Sequence, residues 1–263
     1  MILSFRTFQQ TLTEGGHIFK DASGQPRTQR IAQADIAPTV AWLESITKLD
    51  LTGPASPYDQ GPAHWFGSTG RKADSGDLDL QVDSTVITKE QLVDRLTAWV
   101  KTQPDDGITY IRKAGISVHF LTPIRGNPTH GYVQTDFMFT PHPAWSQFIF
   151  ANAGSSQFKG ADRFHALNSL ASHFGWKISQ TEGVLRRDGN AMVSADPTVV
   201  VRKLLGPAAT IQSAMSVEGI LAALKTDPDR QAKLAKFEQY LTTEPRVERR
   251  DQKLDFLHRA LAH

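Results

Sequence analysis

Two carboxylates stand two residues apart in the segment Asp77-Leu78-Asp79-Leu80-Gln81-Val82-Asp83. Leu78, Leu80 and Val82 alternate with Asp77, Asp79, Gln81 and Asp83, the period of a strand with one buried face. Residues i and i+2 of a strand project from the same side, so Asp77 and Asp79 are neighbours. At about 4 Å and an effective dielectric near 20, two like charges repel by roughly 4 kcal/mol. Divalent cations offset such repulsion, and an all-oxygen donor set suits Mg²⁺ or Mn²⁺. Upstream, Gly67-Ser68 ends a short apolar strand over 64–66. A glycine there lets backbone N–H groups approach a phosphate, and the serine hydroxyl adds a donor. Arg71 and Lys72, on the intervening loop, supply cations where a polyphosphate would lie.

A third acid fits the same chemistry. In Tyr132-Val133-Gln134-Thr135-Asp136-Phe137-Met138-Phe139, alternation puts Val133, Phe137 and Phe139 on one face and Gln134 and Asp136 on the other. An acid in so apolar a strand is costly unless it meets a cation or a partner. Three strand-borne aspartates converging on two metals about 3.5–4 Å apart have the layout for in-line phosphoryl or nucleotidyl transfer.

At these residues the sequence resembles the DNA polymerase β-like nucleotidyltransferase superfamily. That family carries a Gly-Ser at a strand end, a loop of about ten residues, an Asp-x-Asp or Asp-x-Glu strand and a third carboxylate on a later strand. Here Gly67, Ser68, Asp77, Asp79 and Asp136 match, within residues 35–140, and the loop between Ser68 and Asp77 is short for the family. The resemblance implies a mixed-sheet core that binds a nucleoside triphosphate with two Mg²⁺. Asp77 and Asp79 match the two metal ligands. Asp136 matches the acid that helps ligate the catalytic metal and deprotonate the acceptor hydroxyl. Related enzymes often keep basic residues near the triphosphate just after this sheet, where Lys159 and Arg163 stand four apart in a helical segment. Phe158-Lys159-Gly160-Ala161-Asp162-Arg163-Phe164 is also similar to a segment of nucleotidyltransferase-like proteins of tailed phages.

The elements that must position these side chains are legible as patterns. Asp35 opens a helix with Pro38 in its first turn and Ile36, Val40, Leu43 and Ile46 at helical spacing. Residues 14–34 read as loop and 53–62 as a breaker-rich linker. Thr88 with Gln91 makes a capping box for a helix to about Val100. Strands are expected over 108–112, 116–121 and 132–139, the last two as an antiparallel hairpin around PIRGNPTHG. From about Lys159 the chain turns helical, with patterns over 161–174, 197–205, 216–225, 228–241 and 246–261 around a hairpin that turns at Asp188-Gly189-Asn190. The expected fold is α+β: a catalytic domain over 1–158, a mixed sheet with flanking helices, then a mostly helical domain over 159–263. Trp145, Phe148 and Phe150 are expected to pack between the halves, and His119 to be a packing residue.

The full chain has 263 residues, 29 basic against 27 acidic, and no cysteine. That length holds one large domain or two small ones. Zero cysteine excludes a disulfide scaffold, a thiolate zinc site and a cysteine nucleophile. The P-loop and G-x-S-x-G patterns are absent. No apolar run is long enough for a signal peptide or a membrane span, so a cytoplasmic protein without membrane partners is expected. Residues 160–263 carry 15 basic and 12 acidic residues, against a net charge of −1 over 1–159. A polynucleotide acceptor is compatible with that split, and so are small-molecule and protein hydroxyls. Three rivals remain open at this level: a Mn²⁺-dependent glycosyltransferase, an inactive nucleotide-binding module, and an antitoxin or interaction protein whose helical half binds a partner.

Overall fold

The computed structural model describes residues 18–59, 61–104, 107–151 and 156–262, so the apolar start before Arg6 and residues 14–17 of the expected loop lie outside it. The backbone separates into two compact units that divide between Pro141 and His142.

In the first unit the elements run β1 (Ile31–Ala32), α1 (Gln33–Thr47), β2 (Trp65–Phe66), β3 (Asp74–Ser75), β4 (Asp77–Asp83), α2 (Lys89–Val100), β5 (Ile111–Ala114), β6 (Ser117–Pro123) and β7 (Tyr132–Thr140). Five strands form one sheet in the order β2-β4-β7-β6-β5. The β4–β7 pair is parallel and the other three pairs are antiparallel, so the sheet is mixed. Period-2 alternation sends Leu78, Leu80 and Val82 of β4, Val118 and Phe120 of β6, and Phe137 and Phe139 of β7 into one core with Ile36, Val40 and Leu43 of α1 and Leu92 and Leu96 of α2. Each such side chain contributes about 1.5–3 kcal/mol on burial. With that face filled, Asp77, Asp79 and Asp136 are left on the other.

The Thr88–Gln91 capping box forms in both directions at the start of α2. Helix α1 begins two residues before Asp35, because β1 pairs with β3 and the Gln33 N–H bonds Ala73 O at its start. Asp35 lies in the first turn, where it accepts from Arg125 instead of capping. Strand β5 starts three residues later than expected, since its pairing with β6 is set by the tight turn at Gly115.

The second unit contains α3 (Pro143–Phe150), α4 (Gly160–His173), β8 (Trp176–Ser179), β9 (Gly183–Arg186), β10 (Met192–Ser194), α5 (Pro197–Leu205), α6 (Val217–Ala223), α7 (Arg230–Thr243) and α8 (Arg250–Ala262). Strands β8, β9 and β10 form an antiparallel sheet in sequence order. The division falls earlier than the expected Phe158 because α3 belongs here. Trp145 Nε1 donates to Ser179 O at 2.7 Å and Ser146 Oγ to Gln180 O at 3.0 Å. Phe148 packs beside Trp145 on the same helix. Together the units make an α+β protein with eight helices among the described residues. No helix among them is long and apolar enough to cross a membrane.

Candidate metal centre

The register of the parallel pair builds the site. Asp77 lies opposite Gln134 and Asp79 opposite Asp136. One carboxylate oxygen from each of Asp77, Asp79 and Asp136 can be chosen so that all three lie within 4.8 Å of one another. Burial, reinforced by Asp136, pushes the Asp77 carboxyl up to about 6, with Arg30 pulling the other way. Asp79 is raised well above the usual carboxylate range, by burial first and then by Asp77 and Asp136. Both shifts say that this pocket carries more negative charge than it tolerates unaided. The donor set is all oxygen and half-buried, which fits Mg²⁺ or Mn²⁺.

The loop before β4 is shaped around the acids. Gly67 has φ +59°, and a Cβ there would lie 2.6 Å from Asp79 Oδ2, so glycine is favoured by the left-handed backbone and leaves the Asp79 carboxylate uncrowded. The buried Thr69 Oγ1 accepts from the Asp79 N–H at 3.0 Å. Ser75 Oγ donates to Ser68 O at 3.0 Å, and Gln33 Nε2 to Gly70 O at 2.9 Å. These contacts pin the turn that carries Gly67 and Ser68 to β4, β3 and α1.

Arg71 has a different role from the one its position suggests. Its guanidinium donates to Gly67 O at 3.0 Å and Trp65 O at 3.1 Å, and it pairs with the carboxylate of Asp59. It braces the loop, with its charge already met. Lys72 is exposed. Arg30, which the sequence pattern left in a loop, bonds Asp74 Oδ1 at 2.7 Å and also acts electrostatically on Asp77.

Asp136 is held from two sides. Gln134 Nε2 donates to its Oδ1 at 2.9 Å, and His119 Nδ1 lies 2.7 Å from the same oxygen. Because a carboxylate only accepts, this bond assigns a proton to Nδ1. His119 is therefore a partner of the acid cluster and not merely a packing residue. A signal for it existed: β6 and β7 form a hairpin whose turn centres near Asn127, and folding about that point sets His119 opposite Asp136.

Lys159 and Arg163 belong to the second unit. Lys159 caps α4 and its Nζ lies 2.6 Å from Glu248 Oε1. Arg163 is 2 % exposed. It donates to Ala214 O at 2.6 Å, Ile149 O at 3.0 Å and Ala151 O at 3.2 Å, and stacks 4.6 Å from the Phe148 ring centroid. Burial lowers its pKa to about 10. The expectation that Arg163 meets a triphosphate is corrected, since three carbonyls and a ring enclose the guanidinium.

The raised acids give a pH signature. The folded, metal-free protein keeps protons on Asp77 and Asp79 that the unfolded chain has lost, so their contribution to stability falls as pH rises from about 4 through 6 and beyond. A divalent cation needs the ionised forms. The increase in Tm on adding Mg²⁺ is therefore expected to be small at pH 5 and several degrees at pH 7.5, measured by scanning calorimetry against a chelator control. An increment independent of pH would contradict the assignment.

No protein-family model matches the sequence, and no curated protein matches it.

Proposed function

We propose that the first unit is a nucleotidyltransferase with a DNA polymerase β-like core, which moves an NMP group from an NTP to an acceptor hydroxyl and releases pyrophosphate. The observation that carries this reading is the convergence of the Asp77, Asp79 and Asp136 carboxylates on adjacent parallel strands, beside a glycine turn moulded to Asp79. Asp77, Asp79 and Asp136 would hold Mg²⁺ or Mn²⁺, which when bound neutralises triphosphate charge and lowers the pKa of the attacking hydroxyl. Gly67 and Ser68 offer backbone N–H groups and a hydroxyl to the β- and γ-phosphates. Lys72, exposed beside the loop, supplies a cation at its rim. Asp136, oriented by His119 and Gln134, receives the proton of the acceptor hydroxyl. The acceptor belongs to one of three classes: an RNA 3′ end, a small-molecule hydroxyl or a protein side chain.

Incubating the protein with each α-³²P-labelled NTP, Mg²⁺ and a panel of these acceptors tests the reading. The expected result is label on one acceptor class with release of pyrophosphate. The reading fails if nothing is labelled, no NTP binds by calorimetry, and Asp77→Asn leaves metal binding unchanged.

A further inference from the structure

Helix α4 ends in an aromatic pair at the surface of the second unit. Phe174 follows its last turn and is 37 % exposed, and Trp176 opens β8. Their rings stack with centroids 5.1 Å apart at 28°. Cations flank both rings: Lys233 Nζ lies 5.5 Å from the Phe174 centroid and Lys203 Nζ 5.9 Å from that of Trp176. Arg186 is the cross-strand partner of Trp176, and Arg187 Nε donates to Trp176 O at 2.8 Å. Lys236 bonds Ser172 at the end of α4. Among the described residues one acid, Asp227, is ion-paired to these cations, through Lys233, and Asp188 lies in the adjoining hairpin turn. Neither Arg186 nor Lys203 has an ion pair among them, so the surface carries unmatched positive charge beside a partly exposed aromatic pair.

A partly exposed aromatic pair and unpaired cations together select a class of partner. An acidic peptide would satisfy the charges but has no planar group for the rings. A nucleic-acid duplex would satisfy the charges but hides its base faces in its own stack. An unpaired strand offers both, bases to extend the Phe174–Trp176 stack and phosphates to meet the cations. We infer that this surface binds single-stranded polynucleotide, with a base on Phe174 and the flanking phosphates on Lys203 and Arg186. Nothing in this chemistry reads the sugar, so RNA and DNA are equivalent ligands. The inference rests on residues of the second unit alone and needs neither metal nor nucleotidyl transfer.

Fluorescence anisotropy of a labelled mixed-sequence 12-mer, with the full chain in the presence of chelator, tests it. The RNA and DNA forms are expected to bind within about threefold of each other. Phe174→Leu, which keeps an apolar side chain and removes the ring, is expected to weaken binding about tenfold. Lys203→Gln is expected to reduce the slope of log K against log salt by about 0.7. Arg259→Ala, which removes an exposed partner of Asp255 on α8, is expected to change neither. Thermal melts matching the parent show that the variants fold. Parental binding by folded Phe174→Leu overturns the inference, as does equal competition by a 12-base-pair duplex or by polyglutamate.

Discussion

Asp79→Asn is expected to abolish nucleotidyl transfer, by about a thousandfold or more, while making the metal-free protein more stable at neutral pH. The two effects share one cause. Asp79 sits in a buried position beside two other acids, which is why its carboxyl is raised so far. An asparagine replaces, at nearly constant volume, a carboxyl that the fold without cation must either keep protonated or hold charged beside two other acids, so that fold gains. On the proposed reading the same change takes away a metal ligand, and the several kcal/mol of charge stabilisation that a bound cation would supply correspond to three or more powers of ten in rate. The checks are a urea melt in chelator, a second with Mg²⁺, and the labelled-NTP assay. A purely structural aspartate would give the reverse stability result, and an unchanged melt with full activity would remove Asp79 from the site.

The second large effect is on stability alone. Arg163→Ala is expected to lower the stability of the second unit by about 3–5 kcal/mol, read from the urea midpoint, with NTP affinity unaltered in whatever fraction remains folded. The guanidinium closes the C-terminal end of α3, where it meets the Ile149 and Ala151 carbonyls, and it also takes the Ala214 carbonyl. Removing it leaves buried acceptors without donors, empties volume under Phe148, and exposes the negative end of a helix to an apolar surround. If the residue served a triphosphate instead, the same substitution would weaken NTP binding and leave the midpoint in place.

The acids were legible because strand alternation is a strong pattern and their types make sense together. Leu78, Leu80 and Val82 have to be buried, and alternation then puts Asp77 and Asp79 on the opposite face. The helices around them were legible for the same kind of reason, with the Thr88–Gln91 box as the clearest case. The basic residues were not. Arg71 and Lys72 are adjacent in sequence, yet one turns inward because Asp59 and two carbonyls meet it there, and that meeting is set by tertiary structure. Arg163 hides its role in the same way, since its partners at 149, 151 and 214 are carbonyls, which every residue carries. The unit boundary was displaced because Pro143–Phe150 is short and apolar nearly all round, so no period distinguished a helix of the second unit from the tail of the first. His119 was a missed opportunity, since hairpin symmetry alone placed it opposite Asp136.

The parallel pairing of β4 with β7 also governs when the acid cluster comes into existence. A hairpin joins its strands through a turn, but these two meet only after α2, β5 and β6 have been threaded between them. Closing so long a stretch carries an entropic cost that local contacts cannot repay in advance. A chain in which β7 has not docked carries Asp77 and Asp79 without Asp136. A cation that needs all three therefore recognises only the finished sheet. Bound there, as proposed, it would hold the native state closed and lengthen the protein's lifetime against unfolding, while the speed at which the chain first folds stays what its topology dictates.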